Sequence, residues 1–329
     1  MAEIDEIKKK YNIMSAKELI KSEIPKQEWI VEGLIPKQSL IVWTGKKASF
    51  KSFFNKYLGI CIATGKSLFG EFEVTNPGVV LYLDEENGSR RLKARISKIC
   101  NGLGFDEEKE IEFYTITKKG FKLDGKKINN EDINCMKVIE KIIQLYKPTF
   151  VVCDSVVRMM KGDENSSMDV RRIYDNLSPI MEKYGCTFSL IHHSCKDGTG
   201  FRGSGDFEYM ADKTFVVERK GNSRTEFKIS QEKERDDEYI GDINFEVHNT
   251  LDDKGINVIC TDKNLNTKAK RHELAAEDIK KLLKNGQVKS FKTMDLRDEL
   301  NLIKDDKGKP KHKYSAVTNA FNMLEEKNL

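Results

Sequence analysis

Residues 39–63 read SLIVWTGKKASFKSFFNKYLGICIA: a short apolar strand, a lysine-rich loop, and a helix with apolar residues at helical spacing. The loop fits the phosphate-binding pattern G-x-x-x-x-G-K-[ST] at Gly45, Lys51 and Ser52, but Phe50 stands where the second glycine belongs. A strand–loop–helix unit of this kind directs backbone N–H groups and the helix N-terminus at a phosphate. Because that glycine is missing, the loop alone is equally consistent with a basic turn between strand and helix.

If the loop binds a nucleotide, its contacts come from one run of consecutive residues. They are Gly45, Lys46, Lys47, Ala48, Ser49, Phe50, Lys51, Ser52 and Phe53. In such a loop the lysine reaches the β- and γ-phosphates and the hydroxyl binds Mg²⁺. A second Gly-Lys-Ser, at 65–67, does not qualify, because it follows a helix and Ile60 occupies the place of its first glycine.

The composition is that of a soluble globular protein. Of the 329 residues, 33% are charged and 38% are hydrophobic, and no apolar run approaches the ~18 residues of a membrane span. The N-terminus lacks a signal-peptide pattern, and the seven cysteines include no C-x-x-C pair that would indicate a zinc site. We therefore expect a cytoplasmic protein with no membrane partner.

Strands and helices alternate along most of the chain, which predicts an α/β fold. The strands expected after the loop strand are 79–83, 113–116, 150–153, 187–191, 214–218, 225–231 and 243–247. Continuous apolar strands that alternate with helices are typical of a mostly parallel sheet covered by helices on both faces.

The same pattern divides the chain into four parts. An N-terminal helical and extended segment (1–36) precedes the α/β core (37–250), and a linker (251–272) leads to a small helical module (273–329). The net charge of +4 arises from Lys270 onward, where 14 Lys/Arg stand against 10 Asp/Glu. A basic bias of this size is a weak indication of nucleic-acid binding.

Polar side chains follow two of the strands, at the sheet edge where such folds place their chemistry. Asp154 follows the strand 150–153; it is either a turn residue or a carboxylate that holds Mg²⁺ opposite the loop serine. Glu86 follows the strand 79–83 and is placed to deprotonate a water that attacks the γ-phosphate. Glu85 fits that role equally well, and both also fit a helix N-cap, where the helix dipole favours anions.

His192 and His193 end the strand 187–191. A metal-binding pair is disfavoured, because adjacent side chains on a strand point to opposite faces and no third ligand is evident. We expect instead that one of the two histidines donates a hydrogen bond to the γ-phosphate.

Several stretches, taken together and in order, resemble those of one ATPase family. They are 28–36 before the loop, 81–87, 151–155, 190–196 and 202–205. Over roughly residues 28–248 the chain resembles the RecA-like ATPases of the plasmid RepA-helicase group, relatives of the hexameric replicative helicases. Members from mobile elements often carry an aromatic residue at the position of Phe50. The resemblance implies a RecA-like fold with ATP and Mg²⁺ as cofactors.

Carried over by position, the resemblance gives each polar residue of the edge a role. Lys51 becomes the contact to the phosphates and Ser52 the contact to Mg²⁺. Asp154 becomes the carboxylate that supplies the second contact to Mg²⁺. Glu86 becomes the catalytic base, and His193 becomes the sensor of the γ-phosphate.

The resemblance also gives a role to basic residues farther along the chain. Lys233 and Arg235 stand where hexameric helicases present a K-x-R motif to the neighbouring subunit's site. There they would supply positive charge to the transferring phosphoryl group, although in a highly charged chain they also fit a solvated face. Arg202 lies in a glycine-rich loop of the kind that faces a ring's central channel or the subunit boundary. The loop 161–169 is the other candidate channel loop, but its acidic residues weaken a direct role in nucleic-acid binding.

The C-terminal helices, with basic residues between the second and third, resemble a winged-helix domain. Helix 314–327 would be the recognition helix, with Lys313 and Ser315 near its start. A helical packing or partner-docking module fits the same pattern.

Together these features predict a Mg²⁺-dependent ATPase that acts on DNA, a RepA-like replicative helicase or a related motor of a mobile element. We expect a homo-oligomer, a hexameric ring by resemblance, with single-stranded DNA in the channel and duplex DNA at the C-terminal module. Two alternatives are an ATP-gated replication initiator or regulator with little turnover, and a non-replicative defence or signalling ATPase.

Overall fold

The computed structural model describes residues 6–8, 10–11, 13–23, 27–105, 108–125, 134–194, 203–234 and 240–261. The predicted C-terminal module (273–329) lies outside the described residues, with Lys313 and Ser315. Arg202 and Arg235 also lie outside them.

Strands and helices alternate through the described chain. The strands are β1 (Trp29–Val31), β2 (Ile35–Pro36), β3 (Leu40–Thr44), β4 (Val80–Asp84), β5 (Phe113–Thr117), β6 (Phe150–Asp154), β7 (Thr187–Ile191), β8 (Lys213–Arg219), β9 (Glu226–Glu234), β10 (Ile243–Asn249) and β11 (Ile256–Cys260). The principal helices are α1 (Ala16–Lys21), α2 (Lys51–Thr64), α3 (Ser89–Gly102), α4 (Cys135–Tyr146), α5 (Ser167–Tyr184) and α6 (Asp206–Met210). Of the helices in the described ranges, none is long and apolar enough to cross a membrane.

The main sheet has the strand order β11-β10-β9-β8-β3-β7-β6-β4-β5. From β8 to β5 all neighbours are parallel, whereas β9, β10 and β11 continue from β8 as an antiparallel meander. Parallel neighbours need crossover connections, and the helices supply them. The predicted α/β fold class is confirmed for the described residues: they form a mostly parallel sheet flanked by helices.

Alternate residues of the central strands face two separate cores. In β3, Ile41 and Trp43 belong to the core around α2, which we call the α2 core, and both are fully buried. Leu40 and Val42 belong to the core beneath α4 and α5, and they are fully buried too. Burial on both faces explains why β3 reads as a continuous apolar run. It also fixes the strand that carries the loop.

One row of paired residues crosses the middle of the sheet. Trp43 of β3 pairs with Ile191 of β7, Ile191 with Asp154 of β6, and Asp154 with Asp84 of β4. Because these strands are parallel, the segments that follow them leave the sheet at the same edge. The loop after β3, the histidines after β7 and the glutamates after β4 therefore gather around Asp154.

The segment before the loop strand is partly core and not a separate domain. Strands β1 and β2 form an antiparallel hairpin in which Ile30, Val31, Leu34 and Ile35 are fully buried in the α2 core. The hairpin therefore packs together with the chain that follows residue 36, because its apolar side chains need the cover that the α2 core gives. Helix α1, by contrast, has no buried residue.

Residues 251–261 of the expected linker (251–272) are among the described residues. Residues 256–260 form β11, which pairs with β10 and buries Val258, while Ile259 on the opposite face is exposed. This alternation is that of an edge strand with one buried face. The hairpin turn before β11 lies against the end of α3, where Asn101 Nδ2 donates to the Lys254 carbonyl oxygen at 3.2 Å. Close by, a Cβ on Gly102 would stand 1.8 Å from the Ile256 carbonyl oxygen.

Candidate nucleotide site

The backbone of the loop limits which side chains it accepts. Gly45 has φ +148°, and a Cβ there would stand 2.2 Å from the Val217 carbonyl oxygen. Phe50, at the place of the second glycine, has φ +79°, and Ala48 has φ +63°. The left-handed conformation disfavours a side chain by about 1–2 kcal/mol. Glycine is therefore required by close contact at position 45, but is only favoured by backbone strain at position 50.

The ring of Phe50 offsets this strain by stacking. Its centroid lies 4.4 Å from that of Phe53 and 4.5 Å from that of Phe227, with interplanar angles of 30° and 27°. Stacked aromatic pairs contribute about 0.5–1.5 kcal/mol each beyond the area that they bury. The ring packs against the α2 core, so a contact between Phe50 and a phosphate would come from its backbone.

Phe50→Gly, which restores the usual loop sequence, is expected to destabilise the protein. The loss of stacking outweighs the relief of strain, so the free energy of unfolding should fall by roughly 1–3 kcal/mol in urea denaturation. Affinity for ATP should change by less than about threefold, because the backbone shape persists. Phe53→Ala is the matched control, since it removes a stacked ring from a residue without left-handed strain. A Phe50→Gly protein more stable than the wild type would contradict the stacking argument.

Lys51, the first residue of α2, is folded back onto the loop. Its ammonium donates to the carbonyl oxygens of Gly45 and Lys46 at 2.6 and 2.9 Å, and to Ser49 Oγ at 3.2 Å. The side chain is buried, so these carbonyl dipoles replace the water that an ammonium normally has. A phosphate would give this buried charge a stronger partner, which fits the expected triphosphate.

The environment of Lys51 makes nucleotide binding depend on pH. Burial lowers the pKa of Lys51 to about 8, while the charges of Asp154 and Glu86 act in the opposite direction. Phosphate binding needs the ammonium form, so affinity for a fluorescent ATP analogue without Mg²⁺ should fall about tenfold from pH 7 to pH 9. Lys51→Met should bind weakly at both pH values. A flat profile for the wild type would contradict the role of Lys51.

The same shift in the pKa of Lys51 affects stability in the opposite sense. Between pH 8 and 10.5 the unfolded chain binds more protons than the folded protein, because the pKa of Lys51 rises from about 8 to its ordinary value of 10.5 on unfolding. This group therefore makes the nucleotide-free protein more stable as the pH rises through that window.

Ser52 and Asp154 meet at the carboxyl end of β6. The Ser52 hydroxyl donates to Asp154 Oδ1 at 3.0 Å, and Asp154 is fully buried. Mg²⁺ prefers oxygen ligands and usually keeps waters and phosphate oxygens in its shell. A hydroxyl and a carboxylate in contact beside the phosphate loop fit that requirement, and these two residues would hold the metal.

The two glutamates after β4 have different surroundings. The carboxylate of Glu85 accepts hydrogen bonds from the backbone N–H groups of Lys119, Gly120 and Phe121, at 3.0–3.1 Å. Glu86 is exposed at the same sheet edge. Glu85 thus ties the loop after β5 to the sheet, and Glu86 is the glutamate whose carboxylate faces solvent beside the phosphate loop.

The turn that carries Glu86 is held by Asp84. Asp84 Oδ1 accepts from the backbone N–H groups of Glu86 and Asn87, at 3.1 and 2.6 Å. Side chains of Asp that bond to backbone groups two and three residues on are a common way to fix a turn. Asp84 is not among the site residues predicted from the sequence.

A buried lysine that sequence reasoning missed lies beneath this edge. Lys56 of α2 is fully buried, and its ammonium lies 3.1 Å from Asp154 Oδ2 and 3.3 Å from Asp84 Oδ2. It also donates to the hydroxyl of Tyr82 at 2.8 Å. The available signal was a lysine inside the apolar run that follows the loop, four residues after Ser52 and so on the same helix face.

The two histidines after β7 differ in burial. His192 is fully buried, with its ring centroid 4.2 Å from that of Phe207, and its backbone N–H donates to the Trp43 carbonyl oxygen at 2.8 Å. The next bond along pairs the Ser194 N–H with the Gly45 carbonyl oxygen at 3.2 Å. His193 therefore lies beside the first residue of the loop and is only partly buried.

Lys233 lies away from the loop. Strand β9 runs antiparallel to β8 and ends beside Lys213, the first residue of β8, so it points toward the edge opposite the loop. The Lys233 ammonium donates to the carbonyl oxygens of Glu208 and Tyr209 at 2.7 and 3.0 Å, within its own subunit. The structure does not bring Lys233 to the site that holds Lys51.

The two predicted channel loops touch each other. The Ser204 N–H donates to the Glu164 carbonyl oxygen at 2.7 Å, and the hydroxyls of Ser167 and Ser204 are 3.1 Å apart. The segment just after Arg202 is thus anchored on the loop 161–169.

The fold and the loop define the class: an α/β domain whose mostly parallel sheet carries a strand–loop–helix unit of the phosphate-binding type. More narrowly, the chain belongs to the AAA domain family, whose model matches residues 8–199. Among solved structures, a RadB recombinase is similar over 67% of this chain and 90% of its own, with 17% identity and a TM-score of 0.48. A KaiC-like protein from Pyrococcus horikoshii is similar over 71% of this chain and 98% of its own, with 18% identity and a TM-score of 0.48. No curated protein matches the chain significantly.

Proposed function

We propose that the chain is a Mg²⁺-dependent ATPase that acts on DNA, a RepA-like helicase or a related motor of a mobile element. The ATPase part of the proposal is supported above all by the position of the candidate site residues, which lie at one edge of the sheet. There Lys51 and Ser52 of the loop, Asp154 at the end of β6 and Glu86 after β4 are brought together by parallel strands in register. If the purified protein does not hydrolyse ATP, this part of the proposal is wrong.

Each side chain of the edge has one task. Lys51 exchanges its loop carbonyl partners for the β- and γ-phosphates, and Ser52 with Asp154 holds Mg²⁺. When bound, Mg²⁺ neutralises charge on the phosphate oxygens. Glu86 accepts the proton of the attacking water, and His193 donates a hydrogen bond to the γ-phosphate.

Hydrolysis is proposed to take place between subunits. Arg235, with Lys233 beside it, would reach the γ-phosphate of a neighbouring subunit, which requires head-to-tail contacts such as those of a closed hexameric ring. The end of β9 points away from the loop of its own subunit, which supports a role in trans. Since the Lys233 ammonium has carbonyl partners in its own subunit, Arg235 is the main candidate for this role.

The DNA part of the proposal rests on charge and on the resemblance to the RepA-helicase group. Arg202 would contact single-stranded DNA in the channel; the loop 161–169 would be the other channel loop, but its acidic residues argue against direct contacts with DNA. Lys313 and Ser315 of the C-terminal module would contact duplex DNA. Affinity for DNA should then fall steeply with salt, as phosphate contacts require.

One set of measurements tests the whole proposal. ATP turnover, particle mass and strand displacement are measured with Mg²⁺-ATP, with and without single-stranded DNA. The proposal expects hydrolysis that DNA stimulates, a hexamer, and displacement of the strand. Binding with little turnover would favour the initiator or regulator, and DNA-stimulated hydrolysis without displacement would favour the defence or signalling ATPase.

Mixing two inactive variants tests hydrolysis in trans. Lys51→Ala and Arg235→Ala proteins are each expected to be inactive, and mixed complexes should recover part of the turnover. Recovery requires that one subunit supplies the loop and its neighbour supplies the arginine. An Arg235→Ala protein with unchanged turnover would overturn the trans assignment.

A further inference from the structure

Lys56 lies between the two carboxylates that end neighbouring strands. Its ammonium is 3.1 Å from Asp154 Oδ2, 3.3 Å from Asp84 Oδ2 and 2.8 Å from the Tyr82 hydroxyl. Both acids, the tyrosine and the lysine are fully buried. Charges removed from water to this degree persist only when they have opposite charges and hydrogen bonds around them.

The carboxylate oxygens that do not contact Lys56 accept hydrogen bonds from groups of the candidate site. Asp154 Oδ1 accepts from the Ser52 hydroxyl at 3.0 Å. Asp84 Oδ1 accepts from the backbone N–H of Glu86 at 3.1 Å. Lys56 therefore lies at the centre of a continuous set of ion pairs and hydrogen bonds. The set runs from Ser52, one of the two expected Mg²⁺ ligands, to the turn that carries Glu86.

Tyr82 completes the arrangement from the sheet. Its hydroxyl donates to Asp154 Oδ2 at 2.7 Å, and the Lys56 ammonium lies 4.2 Å from its ring centroid. Lys56 also donates to the Ser52 carbonyl oxygen at 3.3 Å, which ties it to the helix turn that starts at the loop.

We propose that Lys56 is a positioning residue that fixes the distance between Asp154 and the turn of Glu86, and that serves as the resident cation of these two carboxylates. The catalytic meaning of this role rests on the proposed ATPase function. Lys56 would keep both acids in place in the nucleotide-free protein, so that the metal-side carboxylate and the base stand ready at a set separation. Lys56 touches neither the nucleotide nor the attacking water.

The first test measures thermal stability and not activity. Lys56→Met keeps the length of the side chain and removes its charge, which leaves two buried carboxylates without a cation. Its Tm should fall by roughly 6–20 °C. Millimolar Mg²⁺ without nucleotide should then raise the Tm of Lys56→Met by roughly 3–6 °C, since a divalent ion can replace the lost charge. A role in packing alone would not produce this response to metal.

The controls separate charge from position. Wild type and Lys98→Met, which alters an exposed lysine of α3, should show almost no rise in Tm with Mg²⁺ alone. Lys56→Arg keeps the charge and should restore most of the stability. If Lys56→Met folds and its Tm responds to Mg²⁺ as the wild type does, the resident-cation role is overturned.

The second test measures turnover and stays decisive even if Lys56→Met does not fold. Tyr82→Phe keeps the lysine and removes one donor to Asp154, so kcat should fall about 3–10-fold while KM for ATP stays within about twofold. An unchanged kcat would overturn the positioning role. If the wild type itself does not hydrolyse ATP, the proposed function fails, but the Tm measurements still decide the role of Lys56.

Discussion

A Glu86→Gln protein is expected to hydrolyse ATP about 10²–10⁴-fold more slowly than the wild type, the usual contribution of a general base. The amide keeps the size of the side chain but cannot accept the proton of the attacking water. Affinity for ATP should stay within about twofold, because in its proposed role Glu86 would act on the water and not on the phosphates. Single-turnover kinetics and nucleotide titration measure the two quantities separately.

Glu85→Gln is the matched control, one residue away on the same turn. The Glu85 carboxylate accepts hydrogen bonds from three backbone N–H groups. The neutral amide oxygen of glutamine forms weaker hydrogen bonds with the same donors. We expect a loss of about 1–3 kcal/mol in the free energy of unfolding, with turnover close to that of the wild type. If Glu85→Gln is the slow enzyme and Glu86→Gln is not, the assignment of the base is wrong.

Lys51→Met is expected to lower the rate of hydrolysis at least about 10²–10³-fold, as the loss of one essential charge donor at a transition state does. The same change should stabilise the nucleotide-free protein by roughly 1–3 kcal/mol, because it removes an ammonium whose burial lowers its pKa to about 8. Such an exchange of stability for activity is common where a site holds a buried charged group that function requires. Steady-state turnover and urea denaturation of the same preparation test both parts.

Lys47→Met is the control for Lys51, since Lys47 belongs to the same loop but is exposed. It should leave stability unchanged and reduce turnover by less than about tenfold. Equal losses in Lys47→Met and Lys51→Met would mean that the loop acts through its total charge and not through one placed ammonium.

Much of the fold and of the site's outline could be predicted from the sequence, because local patterns specify them. The loop strand, the alternation of strands with helices, and Asp154 at a strand end all follow from runs of a few residues. The parallel arrangement then brings those strand ends to one edge. The ring stacking of Phe50 on Phe227 could not be predicted, because it joins positions far apart in the chain.

The different surroundings of neighbouring residues could not be predicted from the sequence either. Glu85 and Glu86 are identical in chemistry, and only the backbone of residues 119–121 distinguishes them. Lys56 reads as a surface residue, because lysine is rarely buried without partners and its two acidic partners lie on strands β4 and β6. In the sequence, residues 256–260 read as part of a linker, because the pairing partner of β11 and its contact with α3 are set by the tertiary structure.

The contact between α3 and the hairpin of β10 and β11 has a mechanical consequence. Helix α3 begins just after the turn of Glu86, and at its far end the backbone of Gly102 touches β11 with no room for even a methyl group. A tilt of α3 cannot be absorbed by soft side chains there and must displace the strand. Since β11 is the last strand among the described residues, α3 acts as a stiff rod between the turn of Glu86 and that strand.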